Sequence, residues 1–224
     1  MASKKKTERK RSNEMKKKQT NNKTPLIAII VLIGIIVIAA GVYLIMNQPS
    51  DDGTTDGNTN DSTGNPIAVI DTSKGIIQVE LYQDKAPKTV ENFVKLINDG
   101  FYDGNIFHRV MDDFMIQAGN TYPDGTTKES PYGNIVFESD PDLTHEDGSI
   151  SMASTGAGVG GSAQFFICDG AQSGLDGSYA VFGKTISGID VVRDIADEPQ
   201  DGSYGSVGGG RPLEDVVINS ITIE

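Results

Sequence analysis

Twenty-one consecutive residues, Leu26 to Met46, carry no charged side chain and are dominated by Ile, Val, Leu and Ala. As a helix the run spans about 31 Å, roughly the hydrocarbon thickness of a bilayer. A core helix of that length needs polar positions on its outer face, and this run has none. It predicts a transmembrane helix over residues 26–46, with Tyr43 as an interfacial aromatic near one end. The rival reading is a cleaved signal peptide with Val37, Ile38 and Ala39 at the cleavage site. The run is longer than a signal core and continues past that site, which favours an uncleaved anchor. No cysteine directly follows it, so an N-terminal lipid-modified cysteine is excluded.

Charge fixes the expected orientation. Of 19 Lys and Arg, ten lie in the first 23 residues, opposed there only by Glu8 and Glu14. Residues 1–25 therefore read as a basic cytoplasmic head, and everything after Asn47 as extracytoplasmic: a single-pass protein of the cell membrane. Topology and contact with anionic lipid account for the basic run without nucleic acid. Residues 47–65 contain only Asn, Gln, Pro, Ser, Asp, Gly and Thr, and predict a flexible acidic linker. Residues 66–224 form a normal single-domain length and carry 25 acidic against 9 basic side chains, which argues against nucleic-acid binding there. Cys168 is the only cysteine, so no intramolecular disulfide forms, and it reads as a small core residue.

Within 66–224, Ile67–Asp71 and Gly75–Tyr82 predict a hairpin joined at Thr72–Gly75, with Ile77, Val79 and Leu81 on one face at period two. Between Pro87 and Asp99 the period changes. Val90, Phe93, Val94 and Ile97 recur at helical spacing, with Pro87 near the start and Gly100 just past the end. A second short helix is predicted over Gly188–Ala196. Short β-type runs fall at Asn105–Val110, Phe114–Ala118, Ile150–Ala153, Gln164–Cys168, Tyr179–Lys184 and Val216–Ile223. About eight strands with two helices suggest a closed or nearly closed antiparallel barrel, and periodicity leaves a sandwich equally open.

The most informative stretches are Phe107–Gly119 (FHRVMDDFMIQAG), Ile150–Ala153 (ISMA), Ser162–Ile167 (SAQFFI) and Leu175–Gly183 (LDGSYAVFG). In this order they resemble the cyclophilin family of peptidyl-prolyl cis/trans isomerases, and the resemblance spans the domain from first hairpin to last strand. It is similar to a membrane-anchored, bacterial-like member. The resemblance implies a mainly β fold: an eight-stranded antiparallel barrel capped by two helices, with the active groove on its outer surface. It makes Arg109 the catalytic arginine, with Gln117 beside it. Phe114, Met115, Phe166 and Leu175 are implied to wall a proline pocket, Ala153, Ser154 and Gln164 to line the peptide groove, and Tyr179 to stand at the pocket mouth, where members often carry His. Neither cofactor nor metal is implied, and His108 and His145 read as structural.

These residue types suit the reaction. Rotation about a prolyl bond costs about 18–20 kcal/mol because it destroys amide resonance. Midway, the proline nitrogen regains a lone pair, so a guanidinium aimed at it binds the transition state better than either ground state. The expected partners are proline-containing polypeptides, exported or surface proteins among them, and the bilayer through residues 26–46, with the domain monomeric. The alternative is a proline-peptide binding module or holdase chaperone in which turnover is incidental. A glycine-rich run at Gly156–Gly161 lacks the Lys-Ser/Thr ending of a phosphate loop and reads as a loop between groove strands, and Gly205–Gly210 as a turn. Some positions depart from the family pattern. Ser154 replaces a common Asn, the loop before Gln164 is one residue longer, and Gly174 replaces a Trp that supports cyclosporin binding, which counts against cyclosporin sensitivity. Asp112 and Asp113 replace a frequent Pro-Gly and bring negative charge near Arg109, which favours basic substrates.

Overall fold

The computed structural model describes residues 64–224. The basic head, the expected membrane helix at 26–46 and all of the linker but Gly64 and Asn65 lie outside the described residues. Among those described, no helix is long and apolar enough to cross a membrane. Asn65 already belongs to the fold, its amide donating to Glu80 Oε1 at 3.0 Å.

Eight strands and two helices follow in chain order: β1 (Ile67–Thr72), β2 (Gly75–Leu81), α1 (Pro87–Asn98), β3 (Arg109–Met111), β4 (Met115–Ala118), β5 (Ser149–Met152), β6 (Phe165–Cys168), β7 (Ala180–Ser187), α2 (Ile189–Ala196) and β8 (Ile218–Ile223). The strands form one sheet in the order β3-β4-β6-β5-β7-β2-β1-β8, every pairing antiparallel. Its two edges meet where Phe107 N–H donates to Val216 O (3.0 Å) and Ile218 N–H to Asn105 O (2.8 Å). A barrel rather than a sandwich results. Only an isolated bridge, Ile106 to Val217, forms at that seam. The predicted strand from Asn105 therefore begins as a ladder only at Arg109, and the last strand only at Ile218.

The hairpin pairs as expected, with Ile70 opposite Ile77 and Thr72 opposite Gly75. In α1 the buried apolar residues are Val90, Phe93, Leu96 and Ile97, while Val94 is only partly covered. Phe93 is the hub of the core: its ring lies 5.2 Å from Tyr102, 5.4 Å from Phe165 and 5.2 Å from Phe182. The start of α1 is held from a distance. Ala86 offers no capping side chain, and Glu138 instead accepts from Lys88 N–H (3.0 Å), Thr89 N–H (2.7 Å) and Thr89 Oγ (2.8 Å).

Strand alternation creates two apolar layers. Ile116, Ala118, Ile150, Met152, Phe165 and Ile167 face the main core with both helices. The alternate residues Met115, Phe166 and Cys168 face outward, and with Phe114, Ala153, Leu175 and Tyr179 they form a second, smaller cluster. That outer cluster makes the site possible. Cys168 is fully buried in it, and burial with three nearby aspartates pushes its thiol up to about 12, so it is no nucleophile at neutral pH.

Candidate active site

One cross-strand row carries the site. Arg109 on β3 stands opposite Gln117 on β4, Gln117 opposite Phe166 on β6, and Phe166 opposite Ser151 on β5. Residues directly opposite in antiparallel strands project from the same face, so register alone brings an arginine, an amide and an aromatic ring into line. Phe114 enters from the β3–β4 turn. That turn needs Asp113 in the left-handed region (φ 56°), a conformation Asp tolerates better than most residues, and Asp113 N–H donates to Asp169 Oδ2 at 3.0 Å. Leu175 ends the short 3-10 turn Ser173–Leu175, and Tyr179 precedes β7.

These elements enclose a recess of about 200 Å³, lined by Arg109, Phe114, Met115, Gln117, Ala153, Ser154, Phe166, Leu175, Tyr179 and Tyr204. Its volume suits one small ring or side chain rather than a drug-sized ligand, whose sites begin at roughly 300 Å³. Nine of the ten residues singled out in the sequence line it. The tenth, Gln164, stands one step back, accepting a 2.8 Å hydrogen bond from Gln117 Nε2 while its carbonyl accepts from Ala153 N–H at 2.9 Å. Ser154 reaches the recess with its hydroxyl committed to Gly156 O at 2.7 Å, so its polar atom serves the Gly156–Gly161 loop. A Cβ at Gly174 meets nothing within 4 Å, so the open space at that position is real.

The wall behind Phe166 is rigid. The His145 ring stacks on Phe166 at 5.8 Å with 7° between planes. Its Nδ1 pairs with Asp176 Oδ1 at 2.9 Å and its Nε2 with Ser151 Oγ at 3.1 Å. Burial lowers the His145 pKa, with the Asp176 carboxylate opposing, which leaves a neutral ring at pH 7. Ser151, His145 and Asp176 resemble a nucleophilic triad only in connectivity. Ser151 is fully buried, beyond a substrate's reach, and the chain of bonds props the recess wall.

Arg109 is half-buried at the recess edge. Nε–H donates to Gly208 O (3.1 Å), and Nη2 donates to Val207 O (2.9 Å) and Gly208 O (3.0 Å). Its guanidinium carbon lies 5.7 Å from the Phe114 ring centroid and 5.1 Å from that of Tyr204. Among the described residues no carboxylate pairs with it. Burial lowers its pKa from the ordinary value, opposed by Tyr204 and Tyr179, and an arginine remains charged regardless. Tyr204 is the lining residue the sequence reading missed. Its signal was a lone aromatic in the polar stretch Asp201–Ser206.

Comparison with known proteins points to the same family as the sequence motifs. The family model for cyclophilin-type peptidyl-prolyl cis-trans isomerases matches residues 67–223. The chain is 39% identical over 158 residues to peptidyl-prolyl cis-trans isomerase 9 of Schizosaccharomyces pombe, covering 70% of this chain and 25% of that protein. It thus spans about a quarter of that relative's length. Over 122 residues it is 45% identical to peptidyl-prolyl cis-trans isomerase B of Bacillus subtilis, covering 54% of this chain and 83% of the relative. A crystal structure of a Cryptosporidium parvum cyclophilin-type isomerase in the presence of the dipeptide Ala-Pro aligns with a TM-score of 0.63 and 33% identity, over 70% of this chain and 98% of that one.

Proposed function

This chain belongs to the cyclophilin-type peptidyl-prolyl cis-trans isomerases, and from that premise we propose that it catalyses cis/trans isomerisation of prolyl bonds without covalent chemistry. The observation that carries the reading is a guanidinium set at the edge of an apolar recess and tied to neutral carbonyls rather than to a carboxylate. The proline ring occupies the recess between Phe114, Met115, Phe166 and Leu175. Arg109 donates to the proline nitrogen as it pyramidalises, a bond the planar amide cannot accept, so the interaction is worth most at the top of the barrier. Gln117, held by Gln164, binds the flanking carbonyl while the other side of the bond turns. The Cryptosporidium relative's crystallisation with Ala-Pro supports a proline-bearing ligand here.

The enzyme acts on exported or surface polypeptides. The uncharged 26–46 run and the basic residues before it support an anchor with the catalytic domain outside, where newly translocated chains are unfolded and prolyl isomerisation limits folding. The domain works as a monomer on its tether.

A protease-coupled proline-peptide assay on the full chain tests the chemistry. Arg109→Ala is expected to lower kcat/KM by about 10²–10³, the usual effect of losing one transition-state donor. Wild-type turnover in that variant refutes the arginine mechanism, and a wild-type rate no higher than background refutes the isomerase and leaves a binding module. Protease added to intact cells tests the topology: the domain is expected to be cleaved away while residues 1–25 stay protected.

A further inference from the structure

Residues 199–213 form an arm that leaves the end of α2 and returns ahead of β8. Its stem is closed by Leu213 N–H to Pro199 O (2.7 Å) and Asp201 N–H to Arg211 O (3.0 Å). It is pinned to β3 by the reciprocal pair Val110 N–H to Gly210 O (2.9 Å) and Gly210 N–H to Val110 O (3.2 Å). Arg211 anchors the far side through Asp215 and the Pro123 carbonyl. Between these fixed points the arm carries Tyr204, Val207 and Gly208 onto Arg109.

A guanidinium has five N–H groups. The arm takes up three, Nε–H and both on Nη2, through two backbone carbonyls. Among the described residues nothing is bonded to the two on Nη1. Tyr204 adds its ring to the guanidinium and is itself a wall of the recess. Gly208 stands at φ +78°, where a side chain is strained, and a Cβ there falls 2.7 Å from Met111 Sδ.

We propose that this arm is a strap that positions the reactive arginine: the carbonyls of Val207 and Gly208 and the ring of Tyr204 fix the guanidinium and leave Nη1 as the donor presented to the substrate. The inference rests on the isomerase reading of the same recess and deepens it. An unheld arginine loses rotamer freedom each time it meets the transition state; the strap removes that cost beforehand. Tyr204 is a positioning residue as well as a wall.

The test uses the full-length chain in detergent, with arginine labelled in 15N, alongside the peptide assay. The Arg109 Hε signal, assigned by its loss in Arg109→Lys, is expected to exchange with water at least about tenfold more slowly than that of Arg193, as a hydrogen-bonded N–H does. In Gly208→Val that protection is expected to vanish. Tyr204→Leu is expected to lower kcat about fivefold with little change in KM, and Tyr204→Phe, which keeps the ring face, to restore it. Thermal unfolding of each variant reports whether it folds, and if Gly208→Val does not, the Tyr204 pair decides alone. An unprotected Arg109 Hε in the wild type, or wild-type kcat in Tyr204→Leu, overturns the proposal. Failure of the isomerase reading is distinct: it appears as a wild-type rate no higher than background, whereas Hε protection is read without turnover.

Discussion

Glu138→Ala removes a single carboxylate from a surface loop and is expected to cost the domain a large part of its stability. Thr89 is fully buried, and in the native fold both its N–H and its hydroxyl donate to Glu138 Oε2 while Lys88 N–H donates to Oε1. Alanine leaves Thr89 with unpaired donors that water cannot easily reach. Losing charge-assisted bonds to such a group costs about 2–3 kcal/mol. Loss of an anion at the helix N-terminus adds about 0.5 kcal/mol. A domain of this size loses about 2–4 °C of Tm per kcal/mol, so the expected fall is roughly 6–12 °C. Glu138→Gln keeps one good acceptor and is expected to lose about half as much. Thr89→Val removes only the hydroxyl, and the Thr89/Glu138 double-mutant cycle should give a coupling above about 1 kcal/mol. Calorimetry reads the Tm, and kcat/KM at low temperature is expected to stay near wild type because Glu138 does not line the recess. A Tm within about 2 °C of wild type would mean that solvent caps α1 as well as Glu138 does, and the account of α1 fails.

Three further outcomes are expected. His108 is buried and its pKa is held at about 4 by burial, with Arg109 adding to the shift. Its stabilising contribution is therefore complete above about pH 6.5 and lost as pH falls toward 4, about 3 kcal/mol in all, and denaturant titrations of His108→Leu should show a shallower loss between those limits than wild type. A Cβ on Gly119 falls 2.6 Å from Ala163 O and 2.8 Å from Gln164 Cα at φ +119°; Gly119→Ala should push Gln164 from Gln117, lowering stability by about 2 kcal/mol and kcat/KM together. With its thiol near 12, Cys168 should show no reaction with a thiol reagent at pH 8 until the domain is denatured.

Local periodicity made much of the fold legible. The β1–β2 hairpin, α1 and α2 each bury one face, and a buried face writes its period into the sequence. The order β3-β4-β6-β5-β7-β2-β1-β8 is set by contacts far apart in the chain, and no window of residues contains it. The same holds for the cap of α1, where Ala86 and Pro87 carry no trace of a carboxylate about fifty residues on. β5 and β6 are covered on both sides, all eight residues buried, so alternation gave no clue that Phe166 and Phe165 serve different layers. The recess residues were legible through family resemblance, because Arg109, Gln117 and Phe166 converge only once the register is known. Tyr204 escaped both routes: it lies outside the motifs, in a stretch whose glycines read as a turn.

The strap also resolves a tension set by composition. Residues 66–224 carry 25 acidic side chains against 9 basic ones, so an arginine at a recess edge has no shortage of anionic partners. A carboxylate at about 4 Å would attract it by about 4 kcal/mol at an effective dielectric near 20. Such a partner competes for the very donors that an amide nitrogen, a far weaker acceptor, needs during rotation. Backbone carbonyls hold a guanidinium by direction with only partial charge, so its net positive charge remains available to the transition state. Asp112 and Asp113 stand next in line on the β3–β4 turn, yet among the described residues neither pairs with Arg109. In so acidic a domain Arg109 thus keeps its positive charge because the carbonyls of the 199–213 arm, and among the described residues no carboxylate, take up its donors.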